Sequence, residues 1–356
     1  MLRRPTIHDI ARELNVSRST IYKAINNRGS IRIATRDRII RTLERYGYRT
    51  DTPAADDEEE TLRIGFVAFS TPPIERFPTN YLDHIRMGVN QAIDEFAFGG
   101  LRLEVDFRAP EGDREEAQTD AVEQLRDAGE VAGYVVMPAG DPTLEPAIDG
   151  LVESGLPVIT VNRDLPTSQR LCYVGCDYIQ SGRLAAELLG KMSGSGRLLT
   201  LIGHEPDSMA VDISDRMVGF RSRIADYHHL SPSPPHKFQG REELLRYLEQ
   251  EITRDGVSGI YDVTGNMHII GDFLIQRGLS RSVAVVGFDL YPETVRYLTD
   301  GAISAVVFQD MARQSYIATK MLVECIRSGE PLRMSIVNTP LHVVMAENVE
   351  YYRDRI

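Results

Sequence analysis

Residues 5–31 read PTIHDIARELNVSRSTIYKAINNRGSI, and this stretch decides the fold of the amino-terminal part of the chain. The spacing of its first apolar residues places them on one face of a short helix: Ile7, Ile10, Ala11 and Leu14. Thr6 is suited to cap the start of this helix, and Asn15 is suited to end it in the left-handed conformation. After a very short turn, the hydroxyl of Ser17 is predicted to cap a second helix.

A third helix is predicted where residues 34–48 read ATRDRIIRTLERYGY. Its apolar stripe consists of Ile39, Ile40, Leu43 and Tyr46. Gly47 is a natural end for this helix. Three short helices with a tight turn between the first two are typical of a helix-turn-helix, whose second helix enters the major groove of DNA. The alternative is a small three-helix bundle with a solvated basic face.

The charge of the 356-residue chain is unevenly distributed. Residues 1–50 contain twelve Lys or Arg and four Asp or Glu, a net charge of +8, whereas the whole chain carries −12. Because the acidic remainder repels nucleic acid and the basic head neutralises phosphates, we expect DNA to bind the head. Arginine and lysine suit guanine edges, and hydroxyl groups suit phosphates. The predicted DNA-binding residues are Thr6, Ser17, Arg18, Ser19, Thr20, Tyr22, Lys23, Asn26 and Arg28.

Residues 50–60, TDTPAADDEEE, form an acidic run that contains a proline. This composition indicates a solvated, flexible linker between the head and the rest of the chain.

From residue 61 onward, apolar β-branched runs alternate with helical patterns. Examples of the apolar runs are LRIGFVAF (62–69), LPVITVN (156–162), VAVVGFD (283–289) and ISAVVFQ (303–309). Runs without polar alternation indicate strands that are buried on both faces of a parallel sheet, so the predicted fold class is α/β with helices on both faces. Ligands of such sheets bind beyond the carboxyl ends of the strands.

Polar residues at the ends of these runs are therefore candidates for a ligand site. Taken singly, each is more often a helix cap or a loop residue. Together they offer amides, guanidiniums and carboxylates, a combination that suits the adjacent hydroxyls of a sugar or polyol. The predicted effector-binding residues, including two aromatic wall residues, are Phe69, Tyr81, Asn162, Arg163, Arg216, Asn266, Asp289 and Gln309. Thr264 and Asp177 are further polar candidates, and Phe77, Tyr178 and Phe288 are further wall candidates.

The head, residues 5–31 followed by TRDRIIRTLERYGYR, resembles the DNA-binding head of the lactose-repressor family of bacterial transcription factors. By that resemblance, Arg18, Ser19 and Lys23 read bases, and Tyr22 replaces the usual small serine. The family's linker is typically a basic hinge helix that inserts a leucine into the minor groove. The acidic linker here lacks that leucine, so we expect the centre of the operator to be bent little.

The body resembles the same family over residues 61–345, in LPVITVNRDLP, YVGCDYIQSGRLAAELL, DRMVGF, VTGNMHIIGDFLIQRG and VAVVGFD. That family shares its fold with periplasmic sugar-binding proteins, which implies a two-lobed body with ligand between the lobes. The six polar residues from Asn162 to Gln309 match ligand positions of the ribose-binding type, except that an Asp is usual where Asn162 stands. The implied domains are a helix-turn-helix at 1–49, a linker at 50–61 and an effector domain at 62–346. We expect the first lobe at about 62–161 and 290–318, and the second at about 162–289 and 319–346.

Several classes of protein are disfavoured by the composition. The chain has no apolar run long enough to cross a bilayer, and its start lacks the apolar core of a signal peptide, so a cytoplasmic protein is expected. Three cysteines imply neither a disulfide framework nor a zinc site, and no nucleophile is paired with a base, so no cofactor, metal or enzyme activity is predicted. The favoured interpretation is a homodimeric regulator, with a higher oligomer left open as an alternative, that acts as a repressor and binds a two-fold operator and a sugar or polyol effector. The alternatives are a sugar-transport component, a regulator responding to a purine or a sugar phosphate, and an α/β enzyme.

Overall fold

The computed structural model describes residues 5–25, 31–48, 60–69, 81–110, 116–139, 141, 143–203, 210–252 and 256–356. The side chains of Ile7, His8, Arg18, Ser19, Tyr22, Lys23 and Ala210 are excepted. The chain forms two compact units, residues 1–62 with 93–104 and residues 63–92 with 105–356. The predicted linker lies outside the described residues except at its last two positions.

The helices and strands follow one another in the alternating order that the sequence predicts. The helices are α1 (Ile7–Leu14), α2 (Arg18–Ile25), α3 (Ile33–Arg45), α4 (Tyr81–Phe98), α5 (Ala117–Asp127), α6 (Leu144–Glu153), α7 (Tyr178–Met192), α8 (Ala210–Ile224), α9 (Gly240–Ile252), α10 (Met267–Gln276), α11 (Pro292–Thr299) and α12 (Met311–Ser328). The strands are β1 (Thr61–Val67), β2 (Arg102–Arg108), β3 (Tyr134–Val136), β4 (Val158–Val161), β5 (Cys172–Gly175), β6 (Gly196–Gly203), β7 (Leu230–Pro232), β8 (His236–Phe238), β9 (Val257–Asp262), β10 (Ala284–Phe288), β11 (Ala305–Phe308), β12 (Ile336–Asn338) and β13 (His342–Val344). A 3-10 helix follows at Val349–Arg355.

The caps that the sequence predicts for both ends of α1 and for the start of α2 are present. Thr6 and Asp9 form a reciprocal capping box at the start of α1, and Asn15 ends that helix in the left-handed conformation, with φ of 53°. The Ser17 hydroxyl accepts a hydrogen bond of 3.1 Å from the Thr20 amide, which caps α2. The apolar faces of α1, α2 and α3 meet in a core of Ile10, Ala11, Leu14, Ile21, Ala24, Ile25, Ile39 and Leu43. The predicted helix-turn-helix arrangement is therefore confirmed.

The body contains two sheets. The first has the strand order β12-β5-β4-β3-β1-β2, and the pairs from β12 to β1 are parallel. The second has the order β13-β11-β10-β9-β6-β7, with β8 also paired to β6, and only the β13 edge runs antiparallel among its described pairs. Strands β4, β5 and β11 are buried along their whole length. This is the burial expected of apolar strands that are covered by helices on both faces.

The division of the chain between the two sheets differs from the predicted lobe bounds. Strand β5, at residues 172–175, was expected in the second lobe but pairs with β4 of the first sheet. Strand β11, at residues 305–308, was expected in the first lobe but pairs with β10 of the second sheet. Helix α12 contacts β3, β4 and β5, and β12 pairs with β5, so residues 319–338 belong with the first sheet. The reason is that hydrogen bonding between neighbouring strands decides membership, and that pairing is not visible in local sequence.

The chain passes between the sheets after β5, after β11 and after β12. A hydrogen bond joins the first and third crossings. The Thr339 amide, just after β12, donates it over 2.7 Å to the carbonyl of Gly175 at the end of β5. At the second crossing, Arg355 forms an ion pair of 2.9 Å with Asp310, which caps α12. Among the described residues, no helix is long and apolar enough to cross a membrane.

Candidate functional site

A cavity lies where the carboxyl ends of strands from both sheets meet, which is the position expected for a ligand site in parallel α/β sheets. The space between its lining residues, with the open mouth included, is about 670 Å³. Its described lining residues are Phe69, Tyr81, Met137, Asn162, Arg163, Tyr178, Asp212, Ile213, Arg216, Thr264, Gly265, Asp289, Tyr291, Gln309 and Met311.

The first sheet contributes two adjacent polar residues directly after β4. Asn162 has a φ of 63°, a left-handed conformation that asparagine tolerates better than most residues. Its side-chain amide donates a 3.1 Å hydrogen bond to Gln314. The guanidinium of Arg163 lies 5.2 Å from the ring centre of Phe69, and its Nη1 is buried without a hydrogen-bond partner among the described residues. An unpartnered buried donor is costly, so this nitrogen is suited to an oxygen of a ligand.

Arg216 is the buried cation on the side of the second sheet. Its Nη1 donates a 2.7 Å hydrogen bond to the Val263 carbonyl, and its guanidinium stacks 3.8 Å from the ring centre of Phe288. Burial disfavours the charged form of Arg216, but neighbouring groups, led by the carboxylates of Asp212 and Asp289, outweigh it and raise the pKa of the guanidinium. The Nε atom finds no partner in the described part of the chain. Arg216 therefore presents a fixed, charged donor at the cavity.

Asp289 and Gln309 follow neighbouring strands β10 and β11 and form a hydrogen-bonded pair. The Gln309 amide donates to the Asp289 carboxylate over 2.9 Å, and its carbonyl oxygen accepts from Cys176 Sγ over 3.2 Å. Burial raises the pKa of Asp289, while Arg216 and the Gln309 amide oppose that rise. Asp289 has a φ of 65°, so both sheets end a strand of the cavity with a left-handed polar residue. Such conformations cluster at functional sites, where the surrounding structure holds them.

Aromatic rings form part of the cavity wall. The rings of Phe69 and Tyr81 lie 5.6 Å apart, and the Tyr81 hydroxyl donates to the Phe69 carbonyl. Tyr178 donates a 2.6 Å hydrogen bond to the Asn162 carbonyl, which links α7 to the end of β4. Burial raises the pKa values of Tyr178 and Tyr291 well above the ordinary value. Both phenols are therefore neutral, with apolar faces and one polar tip each.

The structure brings seven of the eight predicted effector residues together at this cavity, the exception being Asn266. Asn266 lies one layer behind, where its amide donates to Thr264 over 2.9 Å and its carbonyl oxygen is buried without a described partner. Asp177 does not line the cavity, because its carboxylate caps α7 by accepting from the Gln180 amide. Phe288 lies beneath Arg216 instead of at the wall. Phe77 is outside the described residues.

Sequence reasoning missed six residues that also line the cavity: Met137, Asp212, Ile213, Gly265, Tyr291 and Met311. One signal was present for Asp212, since it stands four residues before Arg216 and so shares its face of α8. None of the described lining residues is a Ser, Cys, His or Lys, and no described group of His, Cys, Asp and Glu is arranged to hold a metal ion. The chemistry that these side chains offer is hydrogen bonding and charge pairing.

The described DNA-binding candidates lie at the start of α1 and at the start of and along α2. Thr6 caps the start of α1 and Ser17 caps the start of α2, and the hydroxyls of Ser17 and Thr20 are 2.8 Å apart. Four more of these residues belong to α2, although their side chains are not described: Arg18, Ser19, Tyr22 and Lys23. Asn26 and Arg28 lie outside the described residues. The position of α3 is fixed by Arg38, which donates to the Leu14 carbonyl at the end of α1 over 3.1 Å.

The head and the body of the chain each match a known protein family. Residues 6–51 match the family described as bacterial regulatory proteins of the lacI family. Residues 75–331, more than half of the chain, match the family described as periplasmic binding protein domain. The fold class predicted from the sequence is thereby confirmed.

Individual relatives are distant. The ribose import binding protein RbsB of Escherichia coli is 24% identical over 48% of this chain and 58% of its own length. The HTH-type transcriptional regulator CelR of Thermobifida fusca is 26% identical over 62% of each protein. The chain thus aligns with only about three fifths of the length of these relatives.

Solved structures share the fold of the body. A solute-binding protein of an ABC transporter from Burkholderia graminis, crystallised with D-arabinose, superposes with a TM-score of 0.70. The match covers 83% of this chain and 99% of that one, at 21% identity. The two family matches show that the chain carries the helix-turn-helix of the lacI family of bacterial regulatory proteins at residues 6–51, and that it belongs, over residues 75–331, to the family described as periplasmic binding protein domain.

Proposed function

We propose that this protein is a DNA-binding transcriptional repressor whose affinity for its operator is controlled by a small, neutral sugar or polyol. The observation that carries the proposal is the combination of a basic helix-turn-helix head with an open cavity in the body of the same chain, lined by charged, polar and aromatic side chains. The net charge of +8 over residues 1–50 favours DNA binding at the head, and the acidity of the rest of the chain disfavours DNA binding there. We expect the protein to act in the cytoplasm, where the DNA is.

The composition of the cavity supports a polyhydroxylated ligand. Arg163 and Arg216 offer buried donors without described partners, while Asp289 offers an acceptor that is already oriented by Gln309. A sugar presents adjacent hydroxyls that donate and accept at once, and Arg and Asp side chains can each engage two of them. The apolar faces of the aromatic side chains in the cavity supply a flat wall against which a sugar ring can pack. The relatives described as a ribose import binding protein and as an arabinose-bound solute-binding protein favour the same class of ligand.

The position of the cavity supports a mechanism of control. Its polar residues come from both sheets, and the chain connects the sheets through three short crossings, so a ligand that contacts both sides favours one arrangement of the sheets over others. As a homodimer, the protein would present two heads to a two-fold operator, and their spacing would follow that arrangement. The effector then changes operator affinity by its differential affinity for the two states.

Thermal-shift and calorimetric screening of the full chain against pentoses, hexoses, polyols, purines and sugar phosphates tests the ligand class. We expect one or more neutral sugars or polyols to bind and to raise the unfolding temperature. Tight binding of a purine or a sugar phosphate, with no binding of free sugars, would support the alternative class of effector. Sugar binding by a chain that shows no affinity for DNA would support a transport component.

A further inference from the structure

Asp212 places a second carboxylate in the cavity, in addition to that of Asp289, and this one comes from a helix and not from the end of a strand. It lies on α8, is 9% exposed, and is four residues before Arg216. Its Oδ2 atom is 3.4 Å from Nη2 of Arg163. Arg163 follows β4 of the first sheet, whereas α8 packs on α7 beside the second sheet. This ion pair therefore joins the two sides of the cavity.

The formal charges of the described lining residues balance before any ligand enters. The cations are Arg163 and Arg216, and the anions are Asp212 and Asp289. Asp212 interacts with both cations. It forms the ion pair with Arg163, and of the neighbouring groups it does most to raise the pKa of Arg216. Without Asp212, the same lining would carry one excess positive charge.

The unpartnered donors set a second condition on the ligand. Arg163 Nη1 and Arg216 Nε are buried and have no hydrogen-bond partner among the described residues. Hydroxyl or ring oxygens satisfy such donors without adding charge. A carboxylate would also satisfy them, but it would bring a third negative charge near Asp212 and Asp289 in a poorly solvated space, where repulsion between like charges is strong.

We propose that Asp212 is a specificity-determining residue, which balances the charge of the cavity and makes it select uncharged polyhydroxy compounds over the corresponding sugar acids. The proposal rests on the proposed function, because it concerns the ligand of the same cavity. A charge-selecting role for Asp212 can be told apart from a purely structural role for the Arg163–Asp212 pair. A structural role would weaken the binding of neutral and acidic ligands alike, whereas a charge-selecting role changes their ratio.

The test measures matched pairs of neutral and acidic sugars by calorimetry on the full chain. The probes are D-glucose with D-glucuronate, D-galactose with D-galacturonate, D-ribose with D-ribonate, and D-arabinose with D-arabinonate. The variant is Asp212→Asn, which keeps the shape of the side chain and removes its charge. The matched control is Asp215→Asn, on the same helix and half-buried but not among the described lining residues. Thermal unfolding of both variants checks that they fold.

We expect the wild type to bind at least one neutral probe at least about tenfold more tightly than its acid. In Asp212→Asn, the ratio of the two dissociation constants should shift toward the acid by at least about tenfold, which corresponds to 1.4 kcal/mol. Asp215→Asn should keep the wild-type ratio. An unchanged ratio in Asp212→Asn, or tighter binding of acids by the wild type, would overturn this proposal and leave a sugar-controlled regulator intact. Failure of every sugar and polyol in the screen to bind the wild type, the neutral probes included, would overturn both.

Discussion

Gly182 of α7 lies so close to Arg216 of α8 that a Cβ atom at Gly182 would overlap the Arg216 carbonyl oxygen. The same two helices meet again at Gly219, where a Cβ atom would overlap the Ile179 carbonyl oxygen. Two glycines, one on each helix, thus allow α7 and α8 to approach closely along the side of the cavity. The position of the Arg216 guanidinium depends on this contact, because α8 carries it.

Gly182→Ala should destabilise the protein by about 1–3 kcal/mol, because backbone atoms of α8 must move to admit the methyl group. The variant should also weaken effector binding, since Arg216 moves with its helix. Gly150→Ala is the matched control, because Gly150 lies exposed inside α6 and a Cβ there meets no described atom within 4 Å. That control should stabilise the protein by about 0.5–1 kcal/mol. Urea unfolding measures the stability of the two variants, and calorimetry measures effector binding by Gly182→Ala. Equal stabilities of the two variants would refute the close approach of α7 and α8 at Gly182.

Arg216→Ala or Asp289→Ala should weaken sugar binding at least about tenfold while DNA binding without effector persists. Each side chain is placed to form charge-assisted hydrogen bonds, whose loss costs about 1.5–3 kcal/mol apiece. Calorimetry with the sugar found by screening measures the affinity, and a gel shift with operator DNA measures the second part. Wild-type affinity in both variants would mean that the ligand binds elsewhere.

Removal of residues 1–50 should abolish specific DNA binding, because the helix-turn-helix and the net positive charge both lie there. Arg18→Ala or Lys23→Ala in the full chain should relax base preference by about 1–3 kcal/mol at the contacted position. Competition between operator variants in an anisotropy assay measures this preference. The assignment is wrong if the truncated chain binds the same operator with similar affinity.

His84→Phe should remove part of the pH dependence of stability. His84 is buried against Tyr291, with ring centres 5.7 Å apart and planes inclined by 11°, and both ring nitrogens lack described partners. Burial lowers the pKa of His84, although Asp310 and Asp83 oppose that shift. The unfolded chain therefore binds a proton more readily, so stability falls as the pH drops below about 6.5 toward the lowered pKa of the folded state. The free energy of unfolding is measured from about pH 7.5 to about pH 5, a range that brackets this fall. Over that range it should fall less in His84→Phe than in the wild type. An equal fall in the two proteins would contradict this account of His84.

Local signals in the sequence were enough to predict the head. Thr6 and Ser17 each accept from an amide three residues further on, and the Asn15 amide donates to carbonyls three and four residues back. The spacing that predicts these caps is therefore also the spacing that forms them. The polar residues at strand ends were predictable for a similar reason. A strand that is apolar throughout ends where a polar residue appears, and in parallel sheets those ends gather at one edge.

The remaining features depend on contacts between distant parts of the chain. Strands β5 and β11 were placed in the wrong lobes because their partners are chosen by tertiary pairing and not by their own composition. Asp212 was missed because it lies on a helix, away from any strand end, and only the orientation of α8 brings it to Arg163. Asn266 fits the strand-end rule but lies behind Thr264, since its amide is used within the protein.

The central claim is that a ligand in the cavity controls DNA binding by the head, and linkage between the two sites tests it most directly. Fluorescence anisotropy of the full chain on an operator selected from random duplexes gives its DNA affinity with and without saturating sugar, and calorimetry gives the sugar affinity with and without DNA. Because coupling between sites is reciprocal, we expect both affinities to change by the same factor, at least about fivefold. Tight binding of both ligands with neither affinity changed by the other would contradict the account.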